Sequence, residues 1–306
     1  MKILSILPTF KDENSYNWRA NIGFINKLSI LCEYHGIKSY NKDSIIHPAK
    51  YLYNKYNPDV MILLTHSNLL DGYLYDIPCL KVMISVDFRK IMDREMFYWY
   101  KNNKFDLVIQ RGAYNVEVFN KNIGMPCVWV PYSTDEKVFY PKKWESSKIG
   151  FAGTTGSYYV QRNKAIKLLE RENLIDNGGK IIGLKYISFL QSHRGMLTST
   201  AVLNERRRSP HAKMFEIIAS GSVLLSPGFD YEEHILSSYI QYKDDCSDIV
   251  EKAKWIINNE QECIDISNKA HEEFLEKHTD IIRIKELYEY IKSMIEGREL
   301  IKKWSI

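Results

Sequence analysis

The amino-acid sequence predicts an α/β fold made of two doubly wound halves, each with a parallel β-sheet. Short apolar runs alternate with longer segments of helical spacing along all 306 residues, as in βαβ units. A polar segment that contains a proline, Tyr140–Lys148, interrupts this alternation near the middle. The length suits two ordinary domains, so we expect one on each side of that segment. Ligands of such folds bind at the carboxyl ends of the strands, here also in the cleft between the domains.

The first half contains five apolar runs and one clear helical segment. Trp18–His35 has apolar residues at helical spacing and is followed by Gly36, which predicts a helix that ends there. Val60–Leu64 follows the turn signal Asn57-Pro58-Asp59 and is typical of a strand buried on both faces. The predicted strands are Ile3–Leu7, Val60–Leu64, Leu80–Val86, Leu107–Ile109 and Cys127–Val130.

The second half repeats this order after a new strand and a glycine turn. The predicted strands are Ile149–Ala152, Lys180–Ile182, Thr200–Leu203 and Val223–Leu225. The predicted helices are Gln161–Glu172, Ile187–Gly195 and Pro210–Ser220, with further helices towards the C-terminal end. We therefore expect an N-terminal domain over residues 1–142, a C-terminal domain over 148–284, and a helix over 285–306 that packs back on the first domain.

The composition excludes several classes of protein. A formal net charge of +4 is far from the dense basic stripe of a dedicated nucleic-acid binder, although it suits an anionic small molecule or an acidic surface. Five scattered cysteines without a CxxC pair argue against disulfides and a zinc site. The first apolar stretch stops at Pro8, too short for a signal peptide, and about 18 consecutive apolar residues occur nowhere. We expect a cytoplasmic protein without a transmembrane segment.

The segment Ser209–Gly221, SPHAKMFEIIASG, predicts a helix whose ends its own sequence defines. Ser209 suits the N-cap, Pro210 the first helical position and Gly221 the position after the end. Four apolar residues predict a buried helix: Met214, Phe215, Ile217 and Ile218. Four polar residues at spacings of four, three and four share one face: Ser209, Lys213, Glu216 and Ser220. A buried polar stripe needs a partner.

Two interpretations of this stripe remain open on the residues alone. One is an internal Lys213–Glu216 pair. The other is a bound diphosphate, because the basic run Arg206-Arg207-Arg208 precedes a helix N-terminus, which itself attracts anions. Taken alone, the basic run is more often a solvated face. Glu216 lies about 4.5 Å beyond Lys213 along the helix axis. This distance suits the step from a phosphate to the ribose of a nucleotide. A carboxylate can accept hydrogen bonds from the two vicinal hydroxyls of a ribose.

Four segments, in order, resemble motifs of group 1 glycosyltransferases, especially the branch with CgeB-like spore maturation proteins. FEIIASGSVLL around Glu216 is similar to the E-A-M-A-x-G segment of that family. IGFAGT (Ile149–Thr154) is similar to the opening strand and glycine turn of its C-terminal domain. PYSTDEKVFYP (Pro131–Pro141) and AHEEFLEKHTDIIRIKEL (Ala270–Leu287) resemble the stretch that ends its N-terminal domain and its closing helix.

The resemblance implies a GT-B fold of two Rossmann-like domains, with the donor in the C-terminal and the acceptor in the N-terminal domain. It implies a hexosyltransferase-type enzyme that uses a UDP- or GDP-linked sugar with retention of configuration. Glu216 would hold the ribose, and Lys213 with Arg206 or Arg208 would neutralise the diphosphate near the helix start at Ser209. The turn Gly153-Thr154-Thr155 would approach the phosphates or the sugar, and Arg162 is a further phosphate candidate or a surface arginine.

One position departs from the family pattern. Many relatives carry an E-x7-E pair, but the residue eight positions before Glu216 is Arg208. The role of the first glutamate is therefore absent or filled differently, which weakens transfer of the retaining mechanism.

The first half offers two candidate catalytic residues at the ends of predicted strands. His66 follows Val60–Leu64, and Asp87 follows Leu80–Val86 in a sequence similar to that of CgeB-like relatives. Either could orient or deprotonate an acceptor hydroxyl, and either could instead cap or be solvated. The polar stretch Lys11–Arg19 is the expected acceptor-side loop.

Several alternatives stay open beside this hypothesis. A dinucleotide-dependent oxidoreductase is disfavoured because Leu7–Ser15 contains no glycine, and a Walker A sequence is missing. No D-x-D follows an apolar strand, and cations can neutralise the leaving group, so no metal or other cofactor is expected. A non-catalytic nucleotide- or glycan-binding protein remains possible. Acceptors compatible with the sequence are a glycan, a protein side chain, a small molecule and, with less support, a modified DNA base; peripheral membrane contact is also compatible.

Overall fold

Parallel strands form two β-sheets in the computed structural model. It describes residues 1–7, 23–38, 49–64, 74, 76–85, 102–113, 116, 119–157, 159–199, 210–229 and 236–300, without the side chains of 122 and 123. The strands of the first sheet are β1 Lys2–Leu7, β2 Glu33–Lys38, β3 Val60–Leu64, β4 Leu80–Ser85, β5 Leu107–Gln110 and β6 Cys127–Trp129. Their order is β2-β1-β3-β4-β5-β6, and every pairing is parallel.

The second sheet has the same construction. Its strands are β7 Ser146–Ala152, β8 Ile175–Gly179, β9 His193–Leu197, β10 Val223–Pro227 and β11 Ile240–Tyr242. Their order is β11-β10-β9-β7-β8, again all parallel. The chain first moves outward from β7 to β8 and then returns to place β9 on the other side of β7. The carboxyl ends of β7 and β9 therefore form a topological switch point, where ligands of α/β sheets bind.

Helices connect the strands. Their bounds are α1 Ala49–Tyr56, α2 Val160–Arg171, α3 Gly183–Ser192, α4 Ala212–Ala219, α5 Ile249–Asn258, α6 Glu260–Lys277 and α7 Asp280–Ile295. The structure also has a 3-10 turn over Lys27–Ile30 and a π-helical turn over Phe119–Ile123. No helix in this part of the chain is long and apolar enough to cross a membrane.

The chain divides into two compact units, each with its own core. The second unit is Tyr132–Asp280, and the first contains the described residues before and after it. The second core joins the sheet residues Ile149, Phe151 and Leu225 to α2 and α5. In the first unit, α7 contributes four buried residues to the core on the first sheet: Ile284, Leu287, Tyr290 and Ile291. None of the five cysteines forms a disulfide bond.

The strand predictions for the first half are confirmed within a residue at each described end, whereas the predicted helix Trp18–His35 is wrong at its end. Residues 18–22 lie outside the described part, and Glu33–Lys38 forms β2 instead of a last helical turn. Leu31 and Cys32 continue the apolar spacing because they pack against the core. The residues after Cys32 are extended instead, because they pair with β1, as Tyr34 does with Ile3.

In the second half, one predicted strand and the end of one predicted helix are wrong. The strand expected at Lys180–Ile182 occurs at Ile175–Gly179, where the turn-forming residues Asp-Asn-Gly-Gly are tolerated because β8 pairs only with β7 at the sheet edge. The helix expected at Ile187–Gly195 stops at Ser192, and β9 begins at His193. The strand predicted at Thr200–Leu203 lies outside the described residues.

Candidate functional site

Helix α4 carries the candidate donor-binding residues, and both of its ends are well defined. Gly221 follows the helix with φ of 76°, a left-handed conformation that favours glycine, so its predicted position is confirmed. The prediction for Pro210 is wrong: the helix begins at Ala212, and extended His211 occupies the N-cap position with φ −127° and ψ 165°. His211 is held in this conformation by a contact to the end of β9, described below. Ser209 lies outside the described residues.

The predicted burial of α4 is confirmed for its apolar residues and for two of its polar residues, whereas Lys213 is half-buried. Met214, Phe215, Ile217 and Ile218 are buried, as predicted. Glu216 is 1% exposed and Ser220 is fully buried, although both carry polar groups. Burial of an ionisable side chain costs free energy unless partners compensate for it. The partners of Lys213 and Glu216 therefore decide what this face can bind.

Lys213 reaches from α4 to the end of β7. Its Nζ donates a hydrogen bond to the carbonyl oxygen of Ala152 and lies 5.7 Å from the ring centroid of Phe151. Burial is the main cause that lowers the pKa of Lys213 to about 8, and the positive charge of Arg162 lowers it further. The negative charge of Glu216 raises this pKa and so opposes both effects. A desolvated cation with one backbone acceptor retains donor capacity for an anion.

Glu216 points to the other side of the stripe. The Tyr186 hydroxyl on α3 donates a hydrogen bond of 2.5 Å to Oε2, whereas Oε1 is buried without a hydrogen-bond partner. Burial raises the pKa of Glu216, and Asp280 adds to the increase, while Tyr186 and Lys213 oppose it. Since Lys213 and Glu216 bond to different groups, the internal ion pair left open by the sequence is not formed. One carboxylate oxygen therefore lacks the hydrogen-bond partner that its burial requires.

The switch point of the second sheet brings Arg162 and the glycine turn to Lys213. Arg162 on α2 donates to the carbonyl oxygens of Thr154, at 2.9 Å, and Ser199, at 3.3 Å, the residues that follow β7 and β9. Its guanidinium also stacks 4.0 Å from the ring centroid of Tyr159. Arg162 is therefore fixed beside the turn that contains Gly153, Thr154 and Thr155, with its charge close enough to lower the pKa of Lys213. These contacts disagree with its interpretation as a free surface arginine.

His211 is a member of this site that sequence reasoning missed. Its Nε2 lies 3.0 Å from Oγ1 of Thr198, directly after β9, so it links the start of α4 to the switch point. Burial, with the charges of Lys213 and Arg162, lowers the pKa of His211 to about 3. The imidazole is therefore neutral at physiological pH. The only sequence signal was its position two residues after the predicted N-cap, Ser209.

We expect His211 to make the protein less stable in acid. Between pH 6.5 and about 3, His211 binds a proton in the unfolded chain but not in the folded protein. As the pH falls through this range, the free energy of unfolding therefore decreases by about 1.4 kcal/mol per pH unit. Urea unfolding of the wild type and His211→Asn at pH 7.5 and 5 measures it: the variant should show the smaller loss. His35→Asn, at a partly exposed histidine, is the control, and equal pH slopes for wild type and His211→Asn would contradict this assignment.

Other predicted site residues lie outside the described part of the chain. These are Arg206, Arg208, Ser209, His66 and Asp87, together with the predicted loop Lys11–Arg19. Among the described residues, no group of His, Cys, Asp and Glu is placed to hold a metal ion. An open groove of about 420 Å³ lies next to the glycine turn, lined by Thr155, Asn163, Asn177 and their neighbours, but not by Lys213 or Glu216.

Comparison with known proteins agrees with this geometry. Residues 147–289 match the family model described as "Glycosyl transferase-like", which covers the switch point and all of α4. A comparison with curated proteins found no significant match. Among solved structures, a glycosyltransferase from Rickettsia africae superposes with a TM-score of 0.68 at 12% identity, over 97% of this chain and 99% of the other. The fold is GT-B, and the enzyme class is glycosyltransferase.

Two further solved structures share this fold. The α,α-trehalose 6-phosphate synthase of Burkholderia multivorans has a TM-score of 0.66 at 8% identity, over 96% of this chain and 97% of the other. A DNA-modifying β-glucosyltransferase, described with and without its substrate uridine diphosphoglucose, has a TM-score of 0.61 at 12% identity, over 96% and 99%. At these identities the likeness concerns the fold alone.

The segments of this glycosyltransferase that resemble family motifs pack around α4. Phe139 meets the Tyr186 ring edge to face, with centroids 6.5 Å apart. His278 lies against Phe215, with centroids 4.8 Å apart. Trp144, just after the segment Pro131–Pro141, donates from Nε1 to the carbonyl oxygen of Gly221 at 3.1 Å, and these contacts fix both Tyr186 and the helix end. The motifs act mainly as the support of the helix that carries Lys213 and Glu216.

Proposed function

We propose that this glycosyltransferase transfers a sugar from a UDP- or GDP-linked donor to an acceptor hydroxyl. The observation that carries the proposal is the buried Glu216 carboxylate, whose Oε1 has no hydrogen-bond partner. One turn earlier, Lys213 directs its ammonium group to the end of β7. An unsatisfied acceptor beside a desolvated cation suits a ligand that has both hydroxyls and negative charge, as a nucleoside diphosphate has.

In this proposal the diphosphate lies at the carboxyl ends of β7 and β9. Lys213 and Arg162 neutralise it, the backbone of the Gly153-Thr154-Thr155 turn approaches it, and the N-terminus of α4 with Ser209 adds donors. Arg206 and Arg208 are proposed to contribute further charge. Protein cations then stabilise the departing diphosphate, and we propose that the reaction needs no metal ion.

The ribose is proposed to lie against Glu216. The helical rise from Lys213 to Glu216 is about 4.5 Å, which matches the step from the phosphates to the sugar. Oε1 would accept the ribose hydroxyls while Tyr186 occupies Oε2. The nucleotide would therefore be anchored at two points of one helix, which fixes its direction in the site.

The acceptor side rests on sequence position. We propose that Asp87 or His66 orients or deprotonates the acceptor hydroxyl. Retention of configuration and the CgeB-like branch are proposed from the resemblance of motifs, with Arg208 as the departure from the pair of acids. The five cysteines form no disulfide bond, which fits a reducing compartment, so we propose a cytoplasmic location.

Calorimetric titration with UDP and GDP in the presence of EDTA tests this proposal, followed by donor hydrolysis with a panel of UDP- and GDP-sugars. We expect one nucleotide to bind and the corresponding sugar nucleotide to be hydrolysed slowly without metal. Absence of binding by both nucleotides, with Glu216→Ala indistinguishable from the wild type in thermal stability with and without each ligand, would refute it.

Two alternatives predict different results in the same experiment. A non-catalytic nucleotide-binding protein would bind UDP or GDP but neither hydrolyse nor transfer any donor. A modified DNA base as acceptor would require transfer to hydroxymethylated duplex DNA. The DNA-modifying neighbour resembles this chain in fold alone, so we favour a glycan, protein or small-molecule acceptor.

Nucleotide binding is expected to weaken as the pH rises above 8. Lys213, with a pKa of about 8, loses its charge there, while Arg162 stays charged and His211 stays neutral. Burial raises the pKa of Glu216, but ionisation of a carboxyl group adds only negative charge, so this residue does not restore positive charge. Because the phosphates are fully ionised above about pH 7, the loss should approach tenfold per pH unit.

Calorimetry with UDP or GDP between pH 7 and 9.5 measures this effect. Lys213→Met should bind weakly at every pH and lack the step near pH 8. Lys164→Met, which removes an exposed lysine of α2, should retain the wild-type profile. A step of equal size in Lys213→Met would assign the titration to another group.

A further inference from the structure

Tyr186 and Glu216 form a short hydrogen bond of 2.5 Å in the candidate donor site. Tyr186 lies on α3, 30 positions from Glu216 in the sequence, and donates to Oε2 only. Both side chains are buried, with exposed fractions of 5% and 1%. The other oxygen of the same carboxylate, Oε1, is buried without a partner. The contact thus distinguishes the two oxygens: one accepts from Tyr186, and the other has no partner.

The Tyr186 ring is itself fixed by its surroundings. Phe139 packs against it edge to face, and Leu190 one turn later on α3 is fully buried. Because Tyr186 has little room to move, its hydroxyl position selects one rotation of the Glu216 carboxylate. Asp280 repels this carboxylate, and Lys213 attracts it, but neither contact is a direct hydrogen bond to Oε1.

We propose that Tyr186 is a positioning residue, which holds the Glu216 carboxylate so that Oε1 accepts the vicinal hydroxyls of a ribose. This inference rests on the proposed nucleotide-sugar donor and specifies it further. The site selects a ribonucleotide over the corresponding 2′-deoxynucleotide, and the selection depends on Tyr186. Tyr186 acts through Glu216 and does not itself contact the ligand.

The physical reason is the geometry of the hydrogen bonds. Two hydroxyls on adjacent carbons bond well to one carboxylate only if its orientation is fixed, since hydrogen bonds weaken steeply when misaligned. The Tyr186 hydroxyl also favours the ionised form of Glu216, which lowers its pKa against the effect of burial. Without that hydroxyl the carboxylate can rotate and is protonated more readily. Both changes reduce its strength as an acceptor.

A purely structural role for Tyr186 makes a different prediction. If the hydroxyl only satisfied a buried acid, its removal would lower stability and weaken all nucleotides alike. Discrimination between ribose and deoxyribose separates the two roles, because it depends on the hydroxyls that Glu216 is proposed to bind. A site whose buried polar group needs a hydrogen-bond partner from the ligand discriminates strongly against a ligand that lacks that partner.

The test measures dissociation constants of UDP, GDP and their 2′-deoxy counterparts for wild type, Tyr186→Phe and Glu216→Ala. Tyr290→Phe is the matched control, because its hydroxyl approaches Glu286 in the first unit and its exposed fraction is also 5%. We expect the wild type to prefer the ribonucleotide and Glu216→Ala to lose the preference. Tyr186→Phe should reduce the preference about tenfold, and Tyr290→Phe should keep it.

The outcomes separate this inference from the proposed function. If Glu216→Ala loses the preference and Tyr186→Phe retains it, the positioning role is wrong while the donor site stands. If Tyr186→Phe weakens ribo- and deoxyribonucleotides equally, its role is structural and the inference is again overturned. If Glu216→Ala binds all four nucleotides as the wild type does, the proposed ribose contact itself fails. In the double variant, Tyr186→Phe should add nothing to Glu216→Ala.

Discussion

Replacing Glu216 with alanine or glutamine is expected to weaken nucleotide binding and donor turnover at least about 100-fold. A hydrogen bond to a charged group contributes about 1.5–3 kcal/mol, and two ribose hydroxyls are proposed to donate to Oε1. The free energy of unfolding should stay the same or rise in Glu216→Gln, because the buried acid has one oxygen without a partner. Calorimetry, kinetics with the sugar nucleotide that the donor panel selects, and urea unfolding measure these effects.

Glu286 provides the matched control for this variant. It is also a buried glutamate, but it forms a 3.0 Å ion pair with Arg283 in the first unit. Glu286→Gln should destabilise the protein by about 3 kcal/mol, because it removes one charge of a buried ion pair. Nucleotide affinity of the folded variant should remain at the wild-type value. Wild-type affinity in Glu216→Gln, or a loss of stability like that of Glu286→Gln, would mean that Glu216 supports the fold instead of the ligand.

Replacing Gly153 with alanine is expected to weaken nucleotide binding about tenfold or more, with little change in stability. A Cβ added at Gly153 would lie 2.7 Å from Lys213 Nζ and 3.2 Å from the Phe151 ring. The ammonium group is the end of a flexible side chain, so it would move away from the carbonyl of Ala152 instead of unfolding the site. Loss of one charge-assisted contact to the diphosphate accounts for the expected effect.

Gly156→Ala is the control, since a Cβ at this nearby glycine would have no atom within 4 Å. Its nucleotide affinity should equal that of the wild type. In a Lys213→Met background, Gly153→Ala should have no additional effect, because the group that it displaces is gone. Affinity losses that simply add, or equal losses in Gly153→Ala and Gly156→Ala, would show that the turn acts independently of Lys213.

Continuous apolar runs made most of the fold predictable. Val60–Leu64 is buried on both faces, so every residue of β3 carries the signal. β8 carries little signal, because an edge strand of Asp-Asn-Gly-Gly is formed by its pairing with β7 and not by side-chain burial. The end of α3 was also unpredictable: the helix passes directly into β9, and no glycine or proline marks the change. Local composition cannot report interactions with distant strands.

The candidate site was predictable where one helix carries it. Spacing alone placed Lys213 and Glu216 on one face of α4, and Arg162 followed from its distance to the glycine turn. Tyr186 could not be found, because a tyrosine in an amphipathic helix looks like any core aromatic and its partner lies 30 positions away. His211 was missed for a similar reason: its contact to Thr198 joins two separate segments of the chain, and no periodic pattern in the sequence links them.

The path of α7 has a consequence for synthesis of the chain. Its first residue, Asp280, ends the second unit, whereas Ile284, Leu287 and Ile291 complete the core of the first. The strands of the first sheet are therefore translated early, but the core on that sheet is completed only when α7 is made, after the second unit has left the ribosome. We expect the second unit to reach its native state first, although domains usually fold in N- to C-terminal order. A ribosome stalled before Ile281 would hold a chain with an uncovered apolar sheet, which is the kind of nascent chain that chaperones bind.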